Sequence, residues 1–195
     1  MVSLVPGEEV APLSGATESV RQSRVAYVLA KLKIRGQEYL LLNAHRKWGD
    51  WSWLGGHVEP SDADFWAAAA RETREELAPL GYGEDVEVQR DELACSEWGP
   101  VSSVSAGGAP TTYQARWYLL RFKSNPKACL ARLPRDEFRL VRLSDLSDSP
   151  DVSSVVKKLA HLVPGGWSAL PLSWSDDLDE TPLPANSSHL PLPAE

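Results

Sequence analysis

Glu72, Glu75 and Glu76 stand at i, i+3 and i+4, so a helix through them carries three carboxylates on one face. Like charges at such spacings cost roughly 0.2–0.5 kcal/mol per pair. Oxygen donors crowded this way suit a hard divalent cation, Mg2+ or Mn2+, which in turn neutralises phosphate oxygens and acidifies a bound water. Gly55 and Gly56 precede the segment. Lacking Cβ atoms, they let backbone come close to such an ion, and a carbonyl there would add one more oxygen ligand. A plainer reading competes. Arg71 lies four residues before Glu75 and Arg74 is adjacent, so the same residues would also make a solvated face laced with ion pairs. The glycine pair, the tryptophan-rich WSWL before it and a capping signal between them favour the metal reading, because together they form an arrangement rather than a charge run.

The elements that must position these groups are legible from pattern. RVAYVLAKLKI (24–34) and QEYLLLNA (37–44) read as strands joined by a tight turn at Arg35-Gly36. A short strand is expected around Trp51–Leu54, with Trp51 and Trp53 on one face. A helix is predicted from about Asp62 to Ala78, with Ser61 as N-cap and Asp64 completing a capping box. Its core stripe would be Trp66, Ala69, Ala70, Thr73 and Leu77, and Pro79 and Gly81 would end it. VEVQRDELA (86–94), TYQARWYLLRF (112–122) and FRLVRL (138–143) read as further strands, with a Gly/Ser/Pro-rich connection at 99–111. DVSSVVKKLAHLV (151–163) is an amphipathic helix with Val152, Val155, Val156, Leu159 and Val163 facing a core. Strands on either side of a long helix, with a second helix at the end, predict an α/β fold with a mixed sheet between helical layers.

Composition narrows the function classes. With 195 residues the chain can bury one well-formed core, and no apolar run reaches the length of a membrane span. Twenty Lys and Arg against 27 Asp and Glu leave a net charge of −7, which argues against a nucleic-acid polymer as partner but not against a phosphorylated small molecule held through cations. The first residues lack the basic and apolar regions of a secretory signal, so a cytoplasmic location is expected, with no membrane association. Cys95 and Cys129 are far apart and share no metal-ligand spacing; two free, buried thiols are expected. Three regions follow: a flexible leader (1–21), a folded domain (22–163) and a Pro-rich acidic tail without Lys or Arg (164–195), disordered or loosely docked.

Gly56, Arg71-Glu72 and Glu75-Glu76 resemble the Nudix box, G-x5-E-x7-R-E-U-x-E-E-x-G-U with U a bulky aliphatic. The leading hairpin, the W-x-W-x-G-G approach, the late strand and the closing helix follow the order of a Nudix domain across roughly 22–163. The resemblance implies an α/β/α sandwich and Mg2+- or Mn2+-dependent hydrolysis of a nucleoside diphosphate linked to another group. It assigns Glu72, Glu75 and Glu76 to metal binding, Glu72 or Glu76 to activating water, the Gly55 carbonyl to the metal, and Arg71 to orienting the glutamates. The chain departs from the pattern at four points. Asp62 replaces the first glutamate, eight residues rather than seven separate it from Arg71, Thr73 replaces the aliphatic, and Ala78-Pro79 replace the closing pair. Asp62 is therefore expected near the helix start and not as a ligand.

Weaker signals surround the box. Trp48, Trp51 and Trp53 would stack on a base or close the core, and Arg46 and Lys47 would meet phosphate or remain surface charges. His45 and His57 are not spaced as a metal pair, and His57 is expected to line the loop. Asp136 and Glu137 are candidate bases outside the box. The altered helix exit and the Pro-rich tail motivate a rival class, a Nudix-fold sensor that binds a nucleotide or a protein without cleaving it. A prenyl-diphosphate isomerase reading lacks the cysteine and histidine context around Cys95. Substrate identity and oligomeric state, a homodimer being one option, are not encoded in these motifs.

Overall fold

The structure is a computed structural model that describes residues 19–45, 49–103, 106–175 and 189–190. The apolar stretch at 24–34 does not form one strand. It breaks at Ala30 into β1 (Arg21–Leu29) and β2 (Lys31–Ile34), which belong to different sheets. β2 turns back through Arg35-Gly36, both at positive φ, into β3 (Gln37–His45). β4 (Asp50–Ser52) pairs with the end of β3, and β5 (Leu54–His57) pairs antiparallel with β1.

After α1 (Phe65–Glu76) come two long strands, β6 (Val86–Ser102) and β7 (Pro110–Phe122). The Gly/Ser/Pro stretch expected as a long connection is strand at both ends, residues 99–102 and 110–111, with β6 pairing with β7 out to Ser102↔Pro110. Register shifts near Val88, Glu92 and Trp98 absorb the irregular residues, Gly99-Pro100 among them. The chain closes through α2 (Pro126–Ala131), β8 (Phe138–Arg142), α3 (Ser154–Leu162), β9 (Trp174–Ser175) and β10 (His189–Leu190).

One sheet has the order β5-β1-β7-β6, mixed because β1 and β7 run parallel. The other has the order β10-β8-β3-β2-β9, with β4 attached to β3. Side-chain alternation sorts each central strand onto two cores. Ala26 and Val28 of β1, with Tyr39 and Leu41 of β3, join Phe65, Ala68, Ala69 and Leu77 at α1 and Leu130 of α2. Val25, Leu29, Leu40 and Leu42 join Trp53, Trp117 and the α3 residues Val156 and Leu159. Strands covered on both faces read as continuous apolar runs, as 24–34 and 39–42 do. The result is the expected α/β/α sandwich, with two sheets where one was expected.

α1 begins three residues later than the sequence suggests. Its N-cap is Asp64, whose carboxylate accepts the Ala67 N–H at 2.7 Å, not Ser61. The reason lies in the loop before it, where Asp62 takes the Glu59 N–H at 2.8 Å and forms a turn instead of a helical start. Thr73, which departs from the box, is buried without penalty because its hydroxyl donates to Ala69 O at 2.8 Å in its own helix. Cys129 is buried, whereas Cys95 is exposed; both are free. Among the described residues, no helix is long and apolar enough to cross a membrane.

The described residues after Pro164 are docked. Lys31, only 1% exposed, pairs with Glu38 at 3.0 Å and donates through Nζ to Trp167 O at 2.8 Å and Leu170 O at 3.2 Å. Ser173 Oγ accepts the Lys31 N–H at 3.1 Å, and Leu170 is buried in the second core. A buried ammonium with three oxygen partners fixes the segment to β2. Lys31→Ala leaves two carbonyls without their donor and should cost about 2 kcal/mol. Limited proteolysis should then cut between residues 164 and 175 well before the rest of the domain; cleavage no faster than in wild type would show that the lysine does not hold the segment.

Candidate active site

α1 packs across β5 and brings its acidic face to the two glycines. A Cβ on Gly56 would sit 2.5 Å from Glu72 Oε1, so the missing side chain is the space the carboxylate occupies. A Cβ on Gly55 would sit 2.2 Å from Ala26 O, in a backbone at φ +113°. Gly55 is therefore required by the β1–β5 pairing, and its N–H donates to Glu76 Oε2 at 2.7 Å. The glycines do admit close approach, but what approaches them is a carboxylate and a neighbouring strand.

Glu72 and Glu76 line a cleft of about 400 Å3, together with Gly55, Gly56, His57, Glu59, Asn43 and Tyr27. Burial pushes the Glu76 carboxyl up to about 8, reinforced by the charges of Glu72 and Glu75 and opposed by the Gly55 N–H and the Asn43 amide. Glu72 is also raised, first by burial and then by Glu75 and Glu59, while Arg71 pulls it down. Four carboxylates thus share one field at the mouth of a partly desolvated cleft.

Arg71 organises the near side of that field. Its guanidinium donates to Asp62 at 3.1 and 3.2 Å, to Glu72 at 2.9 Å and to His57 O at 2.9 Å, and lies 3.4 Å from Glu75. The Arg71 hydrogen bond holds the Asp62 carboxyl below its ordinary value, and Asp62 in turn raises the guanidinium. Asp62 is thus a tether between the loop and α1, and the extra residue before Arg71 is taken up in that loop. Burial, aided by Arg21, lowers the His57 imidazole.

The sequence-predicted residues do not all meet. Glu72, Glu76 and Gly55 share the cleft; Glu75 is not among its lining residues, and its side chain is 59% exposed beside Arg71. Among the described residues, no three His, Cys, Asp or Glu side chains converge as a cage for a metal ion. Two carboxylates with open positions nevertheless suit Mg2+, which binds through one or two protein carboxylates plus waters and substrate phosphates.

Trp53 reaches the cleft only as a core residue, 2% exposed, with Nε1 donating to Val155 O at 3.3 Å. Trp51 lies outside the cleft lining, with the Arg139 guanidinium 4.3 Å from its ring. Neither offers a free stacking face there, because the alternation that pairs them turns both toward the α3 core. Arg46, Lys47 and Trp48 lie outside the described residues. Asp136 and Glu137 are not in the cleft lining. Tyr27 of β1 and Asn43 of β3 join the cleft because strand pairing brings these strands beside the box, and Glu59 joins it from the loop after β5.

Residues 22–162 match the family described as NUDIX domain. A search of curated proteins returned no match. Among solved structures, a C. elegans Ap4A hydrolase is 20% identical at a TM-score of 0.47, covering 73% of this chain and 98% of that one. A mutT/nudix family protein from Listeria innocua is 16% identical at 0.46, covering 70% and 87%. Shewanella oneidensis NrtR is 18% identical at 0.46, covering 67% of this chain and 57% of its own. The family match runs from β1 to the end of α3 and so takes in strands β1 to β8 and the carboxylate helix, and the chain belongs to the Nudix family.

Proposed function

We propose that the chain hydrolyses a diphosphate bond in a nucleoside diphosphate linked to a further group, using Mg2+ or Mn2+ held at the cleft. The observation that carries this reading is the pair Glu72 and Glu76, desolvated side by side against Gly55 and Gly56. Buried like charges are costly unless something offsets them. Glu72 and Glu76 would hold the ion, with the Gly55 carbonyl as a further oxygen donor and Glu75 adding charge from the rim. When bound, the cation would screen the diphosphate and lower the pKa of a water ligand.

The chain's own groups divide the remaining work. Arg71 fixes Glu72 and ties the His57–Asp62 loop to α1, so the carboxylates keep their spacing. Glu76 is steadied by the Gly55 N–H, and as a carboxylate on the cleft it would accept the proton of the attacking water. The water oxygen bonds to one phosphorus as the bridging P–O bond breaks, and the leaving phosphate carries off the electron pair. A cytoplasmic location and a small-molecule partner, not a nucleic-acid polymer, belong to the same reading.

Glu76→Gln keeps the shape and the acceptor for Gly55 N–H but cannot take a proton. Assayed with Mg2+ on dinucleoside polyphosphates, ADP-ribose, NADH, nucleotide sugars and oxidised nucleoside triphosphates, it should lose roughly 10²–10⁴-fold in kcat on whichever compound the wild type cleaves. Unchanged turnover would remove α1 from the mechanism. A compound that raises Tm but stays uncleaved by the wild type would favour the sensor reading instead.

The same variant tests the electrostatics without any cation. The Glu76 carboxyl rises from 4.5 to about 8 on folding, so between these values the folded state keeps a proton that the unfolded state has released. Stability from this group is complete below about 4.5 and is lost as pH climbs toward 8. Glu76→Gln should therefore raise Tm over wild type at pH 8.5 in EDTA, with the gap shrinking toward pH 4.5. A gap independent of pH would contradict the buried carboxyl.

A further inference from the structure

The chain does not leave the domain when α3 ends. Pro164 stops the helix, and Gly165-Gly166, at φ +85° and +61°, reverse the backbone and bring Trp167 back over the second core. The returning segment is held at two points. Its backbone hangs on Lys31, whose Nζ donates to Trp167 O and Leu170 O. The Trp167 ring lies on Trp53, with centroids 6.0 Å apart and planes tilted by 45°. All of this lies past residue 162, where the family match ends.

Trp53 is where the segment meets the chemistry. It lines the cleft with Gly55, Glu72 and Glu76, yet it is buried, so nearly all of the indole is covered from behind. Two groups seen there are Val155 O of α3, which accepts the Nε1–H, and the Trp167 ring. One hydrogen bond leaves a ring free to turn about it, and a second contact on the ring face removes that freedom. Trp53 leads directly into β5, and two residues on, Gly55 donates the N–H that holds Glu76. Loss of the Trp167 ring would open a void behind Trp53, into which the start of β5 could shift.

We propose that Trp167 is a positioning residue for the hydrolysis: through Trp53 it fixes the start of β5, and so the Gly55 N–H that sets the Glu76 carboxylate. The inference rests on the hydrolase reading above and deepens it, adding a determinant of catalysis from beyond the family match. Trp167 is not among the cleft-lining residues, so it acts on the geometry of Glu76 and not on contact with substrate.

Two readouts test this, both taken well below the Tm of every variant. Deuterium exchange of the Gly55 amide, followed by NMR, needs neither cation nor substrate. Kinetics with Mg2+ on the compound the wild type cleaves give kcat and KM separately. In Trp167→Ala, Gly55 exchange should quicken about tenfold while the β6–β7 amides keep their rates. Its kcat should fall about tenfold with KM within about threefold of wild type. Trp167→Phe keeps a ring on Trp53 and should stay within about threefold on both readouts, with Trp167→Leu in between. These two carry the test if Trp167→Ala does not fold. Lys31→Ala frees the same segment, so it should quicken Gly55 exchange as Trp167→Ala does, and the double variant should go no further. Wild-type Gly55 exchange or wild-type kcat in the alanine and leucine variants would overturn the proposal. So would a gain in exchange shared equally by the β6–β7 amides, which would be a general loosening. Exchange needs no turnover: an active Glu76→Gln would overturn the hydrolase mechanism and leave the link from Trp167 to Gly55 standing, whereas an unmoved Gly55 would break the link and leave the mechanism standing.

Discussion

The fold turns on one close contact: the acidic face of α1 laid directly on β5. That approach is possible only because residues 55 and 56 have no side chains. At Gly56 the vacant Cβ position is filled by the Glu72 carboxylate, and at Gly55 a side chain would collide with β1. The i, i+4 spacing makes the two carboxylates neighbours, and the closeness of the helix to β5 desolvates them. Moving α1 outward by the width of a methyl group would return both to water and dissolve the site.

Other features serve that contact. Phe65, Ala68 and Ala69 give α1 a face of mostly small residues that sits low on the sheet. Arg71 spans from the loop to the helix and offsets part of the repulsion among Asp62, Glu72 and Glu75, on the side away from Glu76. Glu76 receives no guanidinium; its partners are a backbone N–H and an amide, which leave its proton affinity high. One arginine thus divides the acidic face into a paired carboxylate and a weakly compensated one.

Much of this was legible in residue order. The i, i+3, i+4 glutamates, the glycine pair and Arg71 are local in sequence, and a helix alone brings them to one face. The apolar runs announced strands covered on both sides. What pattern could not show depends on pairing between distant segments. Asn43 reaches Glu76 because β3 and β5 converge on the same cleft, and Tyr27 faces it because β1 pairs with β5. The division of 24–34 between two sheets is invisible to periodicity, since both halves alternate equally well. Asp62 misled the reading of the helix start: its bonds to Glu59 N–H and Arg71 form a turn where a capping box would have begun the helix. Trp51 and Trp53 share a face, as alternation requires, but that face belongs to the α3 core.

The central claim is that Glu72 and Glu76, pressed against Gly55 and Gly56, are the protein's hold on a divalent cation. Titration of Mn2+ into the wild-type chain and into Glu72→Gln, read calorimetrically in the absence of nucleotide, tests it most directly. The account predicts saturable Mn2+ binding that weakens at least about tenfold in Glu72→Gln. Equal binding by both proteins, or no binding by the wild type, would contradict it.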